Sequence, residues 1–482
     1  MKFKLLTAIV VTALGASSCT GQTYKLNATG QTLSYDEQGN VLSSLKDGDK
    51  LYGQDAHYLS GVPMSFKDNG DGTVVDQNTA LMWQQTPPME GMTWAEAKEY
   101  CENLELGGYS DWRLPTLKEL FSISNFEVGW PYLDTNFFYL SNGEVTKDEQ
   151  YWADNKYVGE TVEGRNDAAF GVNHVTGHIK AYPAGSNMRE RGGKGDQNGN
   201  ERGQRMRPDG NGNDNDGQRP PMREGGENGE HRPPMQGDSL AHGQHPPMRE
   251  GGEAGGQRPP MQGDNQDGQQ RPPMREGGDN NGAMAPPPGG GGNRPMGNPM
   301  AKQVRAVRGN IYGENKFVDN GDGTISDLAT GLMWAQADNG EGIEWVDALP
   351  YAEGATLAGY SDWRLPNVKE LQSIVDYSRA PSSKGVEAAI DPIFSCTPFV
   401  NEAGDDDFGY YWTGTSACFT KGKPFYFAWY VAFGRAVNNN GADFHGAGAV
   451  RFDSKADNNI AVEGGEERYY NFVRLVRDTS KK

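Results

Sequence analysis

Cysteine is scarce in this chain of 482 residues, which contains four, and no two of them form a Cys-x-x-Cys pair. That absence removes the usual zinc-binding and thiol-redox motifs. Cys101 has no obvious partner and lies on the apolar side of a predicted helix, so we expect a buried thiol there. Cys396 and Cys418 lie 22 residues apart. We predict that they form a disulfide in an oxidising compartment.

Positive charge is also in short supply. The chain has 45 Lys and Arg against 65 Asp and Glu, a formal net charge of −20. Because nucleic acid needs a basic face to meet its phosphates, this balance argues against nucleic acid as a partner. It disfavours polyanionic sugars for the same reason. The simplest interpretation of the charge is solubility at a cell surface.

The stretch from residue 186 to residue 300 has essentially no aromatic or β-branched residues. Pro-Pro-Met recurs in it at 220, 233, 246, 259 and 272, with a period of 13. Such a composition buries too little apolar surface to offset its ordering entropy, so we predict disorder. Glycine does not fall at every third position, which excludes collagen. The tract is either a sticky or spacer loop or a neutral repeat expansion.

The N-terminus carries an export signal. Four residues with two lysines precede a mostly apolar run from Leu5 to Leu14, and small residues then lead to Cys19. The run is too short to span a membrane and is typical of a secretory signal. Ala16 to Cys19 resembles a bacterial lipobox, which implies a lipoprotein signal over 1–19 and lipidation of Cys19. The expected location is the outer membrane or cell surface, and the alternative is a secreted or periplasmic product.

The chain contains an internal repeat with a constant offset of 251, which takes Phe66 to Phe317. The shared motifs are Asp-Asn-Gly-Asp-Gly-Thr, Leu-Met-Trp and Gly-Tyr-Ser-Asp-Trp-Arg-Leu-Pro, and they define two modules. Their motif residues, all given a structural role, are Asp68, Asp71, Trp83, Trp94, Asp111, Trp112 and Arg113 in the first copy and Asp319, Asp322, Trp334, Trp345, Asp362, Trp363 and Arg364 in the second.

The low-complexity tract is predicted to be an insertion in the first module. From Trp152 to Arg305 there are 153 residues, whereas from Trp412 to Arg474 there are 62, an excess of 91. The excess falls where the tract lies, just before the first module's closing strand. The predicted boundaries are 24–185 plus 301–312 for the first module, 186–300 for the inserted tract and 313–480 for the second module.

Each module is predicted to be α+β, with two short helices and several hairpins. Residues 66–76 read as a hairpin with a Gly-rich turn. Capping boxes begin helices after Thr93 and Thr116, and Asn367 replaces the second cap in the other copy. A calcium loop at 68–73 fails, because positions 3 and 5, which need oxygen ligands, are Gly70 and Gly72.

These motifs resemble the Lcl C-terminal domain family, the terminal module of a bacterial collagen-like adhesin. The Arg-Leu-Pro block before a Glu-bearing helix, together with the closing Arg-Leu-Val-Arg strand, is similar to the C-type-lectin-like fold of formylglycine-generating-type proteins. The resemblance covers nearly everything outside the signal and the repeat tract. It implies two C-type-lectin-like modules and says much less about activity, because this fold hosts many functions.

The remaining chemical candidates are weak. His174 and His178 are four residues apart, but the residues between them favour a strand or turn, so chelation is not expected. Asp111 and Arg113, with Asp362 and Arg364 in the other copy, either contact a ligand or form an Asp–Arg pair that braces the loop, and the brace is favoured. The repeated tryptophans either stack on sugar rings or, as we favour, fill small cores.

We therefore expect an exported, surface-anchored, non-catalytic binding protein that contacts a glycan or matrix protein and carries no cofactor or metal. The alternative is an exported enzyme or accessory factor on the same scaffold. An enzyme of the formylglycine-generating kind would need a reactive Cys pair, and no nucleophile elbow supports a Ser-His-Asp site. A structural envelope component is a third possibility. Functional differences are expected after Tyr151 and Tyr411, where the copies diverge.

Overall fold

The computed structural model describes residues 24–127, 129–141, 143, 145–147, 149–185, 300–382, 384–418, 424–438, 440–456 and 468–480. The predicted signal over 1–19, with the lipidation site Cys19, lies outside the described residues, and so does the repeat tract up to residue 299. All described residues belong to one compact unit of the chain. The fold is α+β, with few short helices and several small antiparallel sheets.

The first half of the fold comprises nine strands and three helices. They are β1 Ser34–Tyr35, β2 Val41–Leu42, α1 Asp55–Tyr58, β3 Phe66–Asp68, β4 Thr73–Asp76, β5 Met82–Gln84, α2 Trp94–Glu102, α3 Leu117–Ser122, β6 Gln150–Lys156, β7 Ala168–Asn173, β8 Ile179–Pro183 and β9 Val307–Arg308. We call residues 24–64 the leading segment.

The second half comprises nine strands and two helices. They are β10 Phe317–Asp319, β11 Thr324–Asp327, β12 Leu332–Ala335, α4 Trp345–Glu353, α5 Val368–Ser373, β13 Pro398–Val400, β14 Asp406–Phe408, β15 Tyr410–Ala417, β16 Phe427–Ala432, β17 Val450–Ser454 and β18 Val476–Asp478. No helix among the described residues is both long enough and apolar enough to cross a membrane.

Each module has its own four-stranded antiparallel sheet, ordered β3-β4-β5-β9 in the first and β10-β11-β12-β18 in the second. Strand β9 follows residues 186–299 in sequence and pairs with β5, where Trp83 faces Val307. The predicted hairpin over 66–76 is confirmed. Its turn needs glycine, because Gly70 and Gly72 have φ of 76° and 84°, a conformation that other residues rarely adopt.

The predicted helices are confirmed. Thr93 caps α2 and Thr116 caps α3, and each forms a complete capping box with the Glu three residues later. Asn367 caps α5 in the same way. Helix α4 differs because its cap, Glu344, makes no side-chain capping bond. The four-residue helix α1 in the leading segment was not predicted.

The two modules share a single six-stranded antiparallel sheet, ordered β15-β16-β17-β8-β7-β6. At its centre β17 of the second module pairs with β8 of the first, where Val450 faces Ile179. Since each half contributes three consecutive strands in mirrored order, the duplicated modules pack as two halves of an internal, quasi-symmetric dimer.

The core is continuous across this junction. The Trp429 ring of the second module lies 5.3 Å from the rings of Phe126 and Tyr132 in the first. The Tyr157 hydroxyl donates a 2.5 Å hydrogen bond to Asp443 Oδ2, again from one module to the other. Because burial of these rings depends on both halves, neither module has a complete core by itself.

The predicted Cys396–Cys418 disulfide is wrong, since neither of these two cysteines is in a disulfide. Cys396 Sγ accepts a hydrogen bond from Arg474, whose guanidinium lies 5.4 Å from the ring of Tyr411 at the start of β15, whereas Cys418 follows the far end of β15 beside Tyr132. Eight residues of strand span roughly 25 Å, and a disulfide needs Cα atoms within about 7 Å. The predicted burial of Cys101 is confirmed.

A simple prediction follows for the thiols. We expect Cys101, Cys396 and Cys418 to react completely with a maleimide after denaturation without a reducing agent. Intact mass spectrometry of the purified protein, with and without prior reduction, measures this. Modification of Cys396 and Cys418 only after reduction would show that the bond forms and would contradict the structure.

Candidate functional site

The charged residues of the Gly-Tyr-Ser-Asp-Trp-Arg-Leu-Pro block form other ion pairs than the predicted one. Arg113 makes a two-pronged ion pair with Glu119, at 2.7 Å for each bond, and Asp111 accepts from Arg308 of β9 at 2.6 and 3.0 Å. The predicted Asp111–Arg113 brace is therefore wrong. The fully buried Glu119 needs a cation close by, and the guanidinium fork of Arg113 matches its carboxylate.

The second copy repeats this arrangement. Arg364 pairs with Glu370 at 2.8 Å for each bond, and Asp362 accepts from Arg477 of β18 at 2.7 and 3.2 Å. The sequence contained a signal for these partners, because a Glu six residues after the Arg and a closing-strand Arg recur in both copies. Because these charges pair with one another and brace the fold, none of them is free to form an ion pair with a ligand.

The tryptophans mainly fill cores, as we favoured. Trp83, Trp112, Trp334, Trp345 and Trp363 are buried, whereas Trp94 is half-buried. The turn aspartates serve the hairpins, since Asp68 and Asp319 each accept the amide two residues on, and Asp71 and Asp322 do the same. Within the described ranges no three His, Cys, Asp or Glu side chains form a group that could hold a metal ion.

The leading segment packs across the second module. The Gln31 side chain binds both the amide and the carbonyl of Ser416 on the edge strand β15, at 2.7 and 3.0 Å. Asp55, at the start of α1, accepts hydrogen bonds from Thr29 at 2.7 Å and Thr415 at 2.8 Å. Contacts between residues some 360 positions apart leave no trace in the sequence, so this docking was not predicted.

We call the surface beneath the leading segment the second-module groove. Four of its residues are Arg364, Asn367, Lys369 and Thr415, all buried. The segment bonds to three of them: Asn367 Nδ2 donates to Ser60 O at 3.4 Å, Lys369 Nζ to Ala28 O at 3.0 Å and Thr415 Oγ1 to Asp55 Oδ2 at 2.8 Å.

The first module contains an equivalent groove, and matching backbone hydrogen bonds show which positions correspond. Asp154 N donates to Pro115 O at 2.8 Å in the first module, just as Gly414 N donates to Pro366 O at 2.8 Å in the second. The next residue in each edge strand accepts the first amide of the following helix, through Asn155 Oδ1 or Thr415 Oγ1. The equivalent positions, which we call the first-module groove, are Arg113, Thr116, Lys118 and Asn155.

The two grooves differ in exposure. All four residues of the first-module groove are half-buried, whereas their four counterparts are buried. The side chain of Arg113 is 28% exposed and that of Arg364 only 2%. The grooves differ in exposure because the leading segment of about forty residues covers the second one. Only a short connection, residues 309–316, passes the first.

A cavity of about 660 Å³ opens over the first-module groove. Thr116, Lys118 and Asn155 line it from the first module, and Asp376 and Ser378 line it from the second. The remaining lining residues are Ile311, Tyr312, Gly313, Glu314, Asn315, Phe317, Ile374, Val375, Tyr377 and Asp391. The cavity therefore lies between the modules and is formed by both of them.

The lining contains the donor groups of Lys118 and Asn155 from the first module and the carboxylates of Asp376 and Asp391 from the second. Burial lowers the pKa of Lys118 to about 8, against the opposing effect of Asp327 and Asp376, and its amine donates to Gly313 O and Asn315 Oδ1. The Asn155 amide nitrogen has no hydrogen-bond partner among the described residues. A polar ligand here can accept a hydrogen bond from Asn155 and donate to the carboxylates of the second module.

The family model described as the Lcl C-terminal domain matches residues 72–191 and 323–453. Together these ranges make up just over half of the chain. The chain belongs to the Lcl C-terminal domain family. This confirms the resemblance and the two copies. No curated protein and no solved structure matches the chain.

All eight groove positions lie inside the two Lcl C-terminal domain matches, whereas the leading segment lies outside both. The leading segment, which covers one groove and leaves the other open, is thus not part of either matched domain. The closing strands β9 and β18 also lie beyond the matched ranges. Their arginines nevertheless complete both domains through Asp111 and Asp362.

The buried carboxyl of Asp55 makes docking of the leading segment pH-dependent. Burial raises its pKa to about 6, while the hydroxyls of Thr29 and Thr415 oppose the shift. A raised pKa means that the folded state holds the protonated carboxyl more tightly than the unfolded chain does. The stability that this carboxyl contributes is therefore fully present below about pH 4 and is lost as the pH rises through 6. We expect Asp55→Asn, which keeps an acceptor oxygen but no charge, to raise the unfolding free energy at pH 8 by about 2–3 kcal/mol.

Urea unfolding of Asp55→Asn and the parent protein at pH 8 and pH 4 measures this difference. The gain should shrink toward zero at pH 4, where the parent carboxyl is protonated in the folded state. A variant that is less stable than the parent at pH 8 would contradict the assignment.

Proposed function

We propose that this member of the Lcl C-terminal domain family is an exported, surface-anchored protein that binds a ligand non-catalytically in the first-module groove. Export and anchoring rest on the signal-like residues 1–19 and the lipobox-like sequence at Cys19. The proposal includes a C-type-lectin-like fold for each domain. Two short helices beside small antiparallel sheets, with a closing strand that returns to the first hairpin, support it.

The observation that carries the binding role is the unequal exposure of two equivalent grooves. Thr116, Lys118 and Asn155 are half-buried under an open cavity, whereas Asn367, Lys369 and Thr415 are buried under the chain's own leading segment. A concave, largely preformed site with a few convergent polar groups is the usual form of a ligand site.

The lining chemistry favours a polar ligand without a high negative charge. Glu314, Asp376 and Asp391 line the cavity, and the whole chain carries a net charge of −20. A polyanion would be repelled by both. Neutral glycans and polar segments of matrix proteins offer donors and acceptors that can pair with this lining.

The test uses the full-length chain, because the modules share a core. A glycan and matrix-protein array is probed with the parent protein, with Asn155→Trp, whose indole would fill the cavity, and with Val318→Trp as a control. Val318 is exposed and lies outside the groove. We expect binding by the parent and the control and at least a tenfold loss for Asn155→Trp. If the parent binds nothing, or Asn155→Trp binds as the parent does, the proposal is wrong.

A further inference from the structure

The docked leading segment shows what kind of ligand the groove holds. Its part nearest the second-module groove is a tight helical turn, α1, preceded by Gly53 and Gln54. The Cβ that a side chain at Gly414 would add lies 3.2 Å from Asp55 N, so the peptide backbone lies directly on the edge strand. The groove therefore accepts backbone as well as side chain.

One side-chain acceptor anchors this turn. Asp55 Oδ2 receives the Thr415 hydroxyl, and Asp55 is 4% exposed. The neighbouring Tyr58 hydroxyl binds Glu353 of α4, and the Tyr58 ring lies 5.4 Å from the Arg364 guanidinium. A short acceptor followed three residues later by an aromatic ring is thus the pattern that α1 presents to this groove.

The first-module groove retains the groups that make these contacts. Asn155 replaces Thr415 and presents an amide N–H₂ donor without a partner, and Arg113 replaces Arg364 and is more exposed. Glu102 stands at the position of Glu353, at the end of α2, as the offset of 251 requires. Asn155, the counterpart of Thr415, also lines the cavity of about 660 Å³.

We infer that the first-module groove binds a peptide segment of a partner protein, in the way that α1 binds the second-module groove. The segment presents Asp or Asn at the start of a helical turn, facing Asn155, with an aromatic residue three positions later. This inference rests on the proposed function and narrows its ligand to a peptide. Glu314, Asp376 and Asp391, which also line the cavity, favour amide or basic donors elsewhere on that segment.

The expected affinity for a peptide can be estimated from the docked leading segment. A tethered segment experiences an effective concentration of roughly millimolar, so a segment that stays docked needs an intrinsic Kd below about 1 mM. A synthetic peptide with the sequence of residues 51–60 of this chain is therefore a suitable probe. The second-module groove is already occupied by the same residues of the chain, which leaves the first as the site for added peptide.

The experiment titrates the labelled 51–60 peptide with the full-length chain by fluorescence anisotropy. We expect saturable binding with a Kd below about 1 mM, weakened about tenfold when the peptide carries Asp55→Ala, because a buried hydrogen-bond acceptor is lost. Among protein variants, Asn155→Val should weaken binding about tenfold as well, whereas Asn155→Thr, which supplies the hydroxyl present in the other module, should preserve it.

Thr415→Val separates the two grooves, because the inference expects it to leave binding of added peptide unchanged. Loss of binding on Thr415→Val but not on Asn155→Val would place the peptide in the second-module groove and overturn the inference. Absence of saturable binding to the parent would also overturn it. If the array instead gives a glycan whose binding is lost in Asn155→Trp, the proposed function stands without the peptide. If neither the peptide nor an array ligand binds, the proposed function and the inference are both wrong.

Discussion

Glu370→Gln is expected to lower the unfolding free energy by about 3–5 kcal/mol, because it leaves the buried Arg364 guanidinium with only the more distant Asp478 carboxylate, 3.7 Å away, as a counter-ion. Both side chains are only 2% exposed, and they are joined by two 2.8 Å bonds. The pKa of Arg364 is raised by Glu370 against the opposing effect of burial. Water cannot replace the lost carboxylate at this site.

The first module provides the matched control. Glu119→Gln removes the equivalent carboxylate, but the Arg113 side chain is 28% exposed and keeps part of its hydration. We therefore expect a smaller loss, about 1–2 kcal/mol. Chemical denaturation of both variants measures the difference. Equal losses of unfolding free energy in the two variants would mean that the leading segment does not shield the Arg364–Glu370 pair from water.

Trp429→Ala is expected to cost about 3–5 kcal/mol and to destabilise both modules together. Trp429 belongs to the second module by sequence, yet it is fully buried against Phe126 and Tyr132 of the first. Removing the indole opens a cavity in the shared core. Hydrogen exchange should therefore accelerate in β7 and α3 of the first module as well as in β16.

Val318→Ala serves as the control for this second prediction. Val318 is 42% exposed, so its truncation should change the unfolding free energy by less than about 0.5 kcal/mol. Faster exchange confined to the second module in Trp429→Ala would show that the modules fold independently. That outcome would contradict the shared sheet between β8 and β17.

Local structure was predictable because local chemistry determines it. The capping boxes at Thr93 and Thr116 and the glycine turn at residues 69–72 need only neighbouring residues, and all of them occur as expected. The offset of 251 identified the repeat, and the family match confirms it. Burial of most tryptophans also followed from their number relative to other bulky residues.

Long-range partners were not predictable from one sequence. The Asp111–Arg113 brace was wrong because buried Glu119 competes for the same guanidinium, and its burial depends on the tertiary fold. The Cys396–Cys418 disulfide was wrong because sequence spacing ignores the length of β15 between the two thiols.

The candidate site was predicted in outline only. We expected functional divergence after Tyr151 and Tyr411, and Asn155 and Thr415 lie four residues beyond those positions. The decisive difference is nevertheless the leading segment, which precedes both modules in sequence. Its docking depends on Gln31 and Asp55 meeting strand β15, a contact that no local pattern reveals.

The central claim is that two equivalent grooves differ because the leading segment fills one of them. Thiol labelling of Asn155→Cys and Thr415→Cys tests it most directly, in a background where half-buried Cys396 is replaced by serine and buried Cys101 and Cys418 are kept. We predict that position 155 reacts at least about a hundredfold faster than position 415, because labelling at 415 needs local opening of the segment. Comparable rates at the two positions in the folded protein would contradict the account.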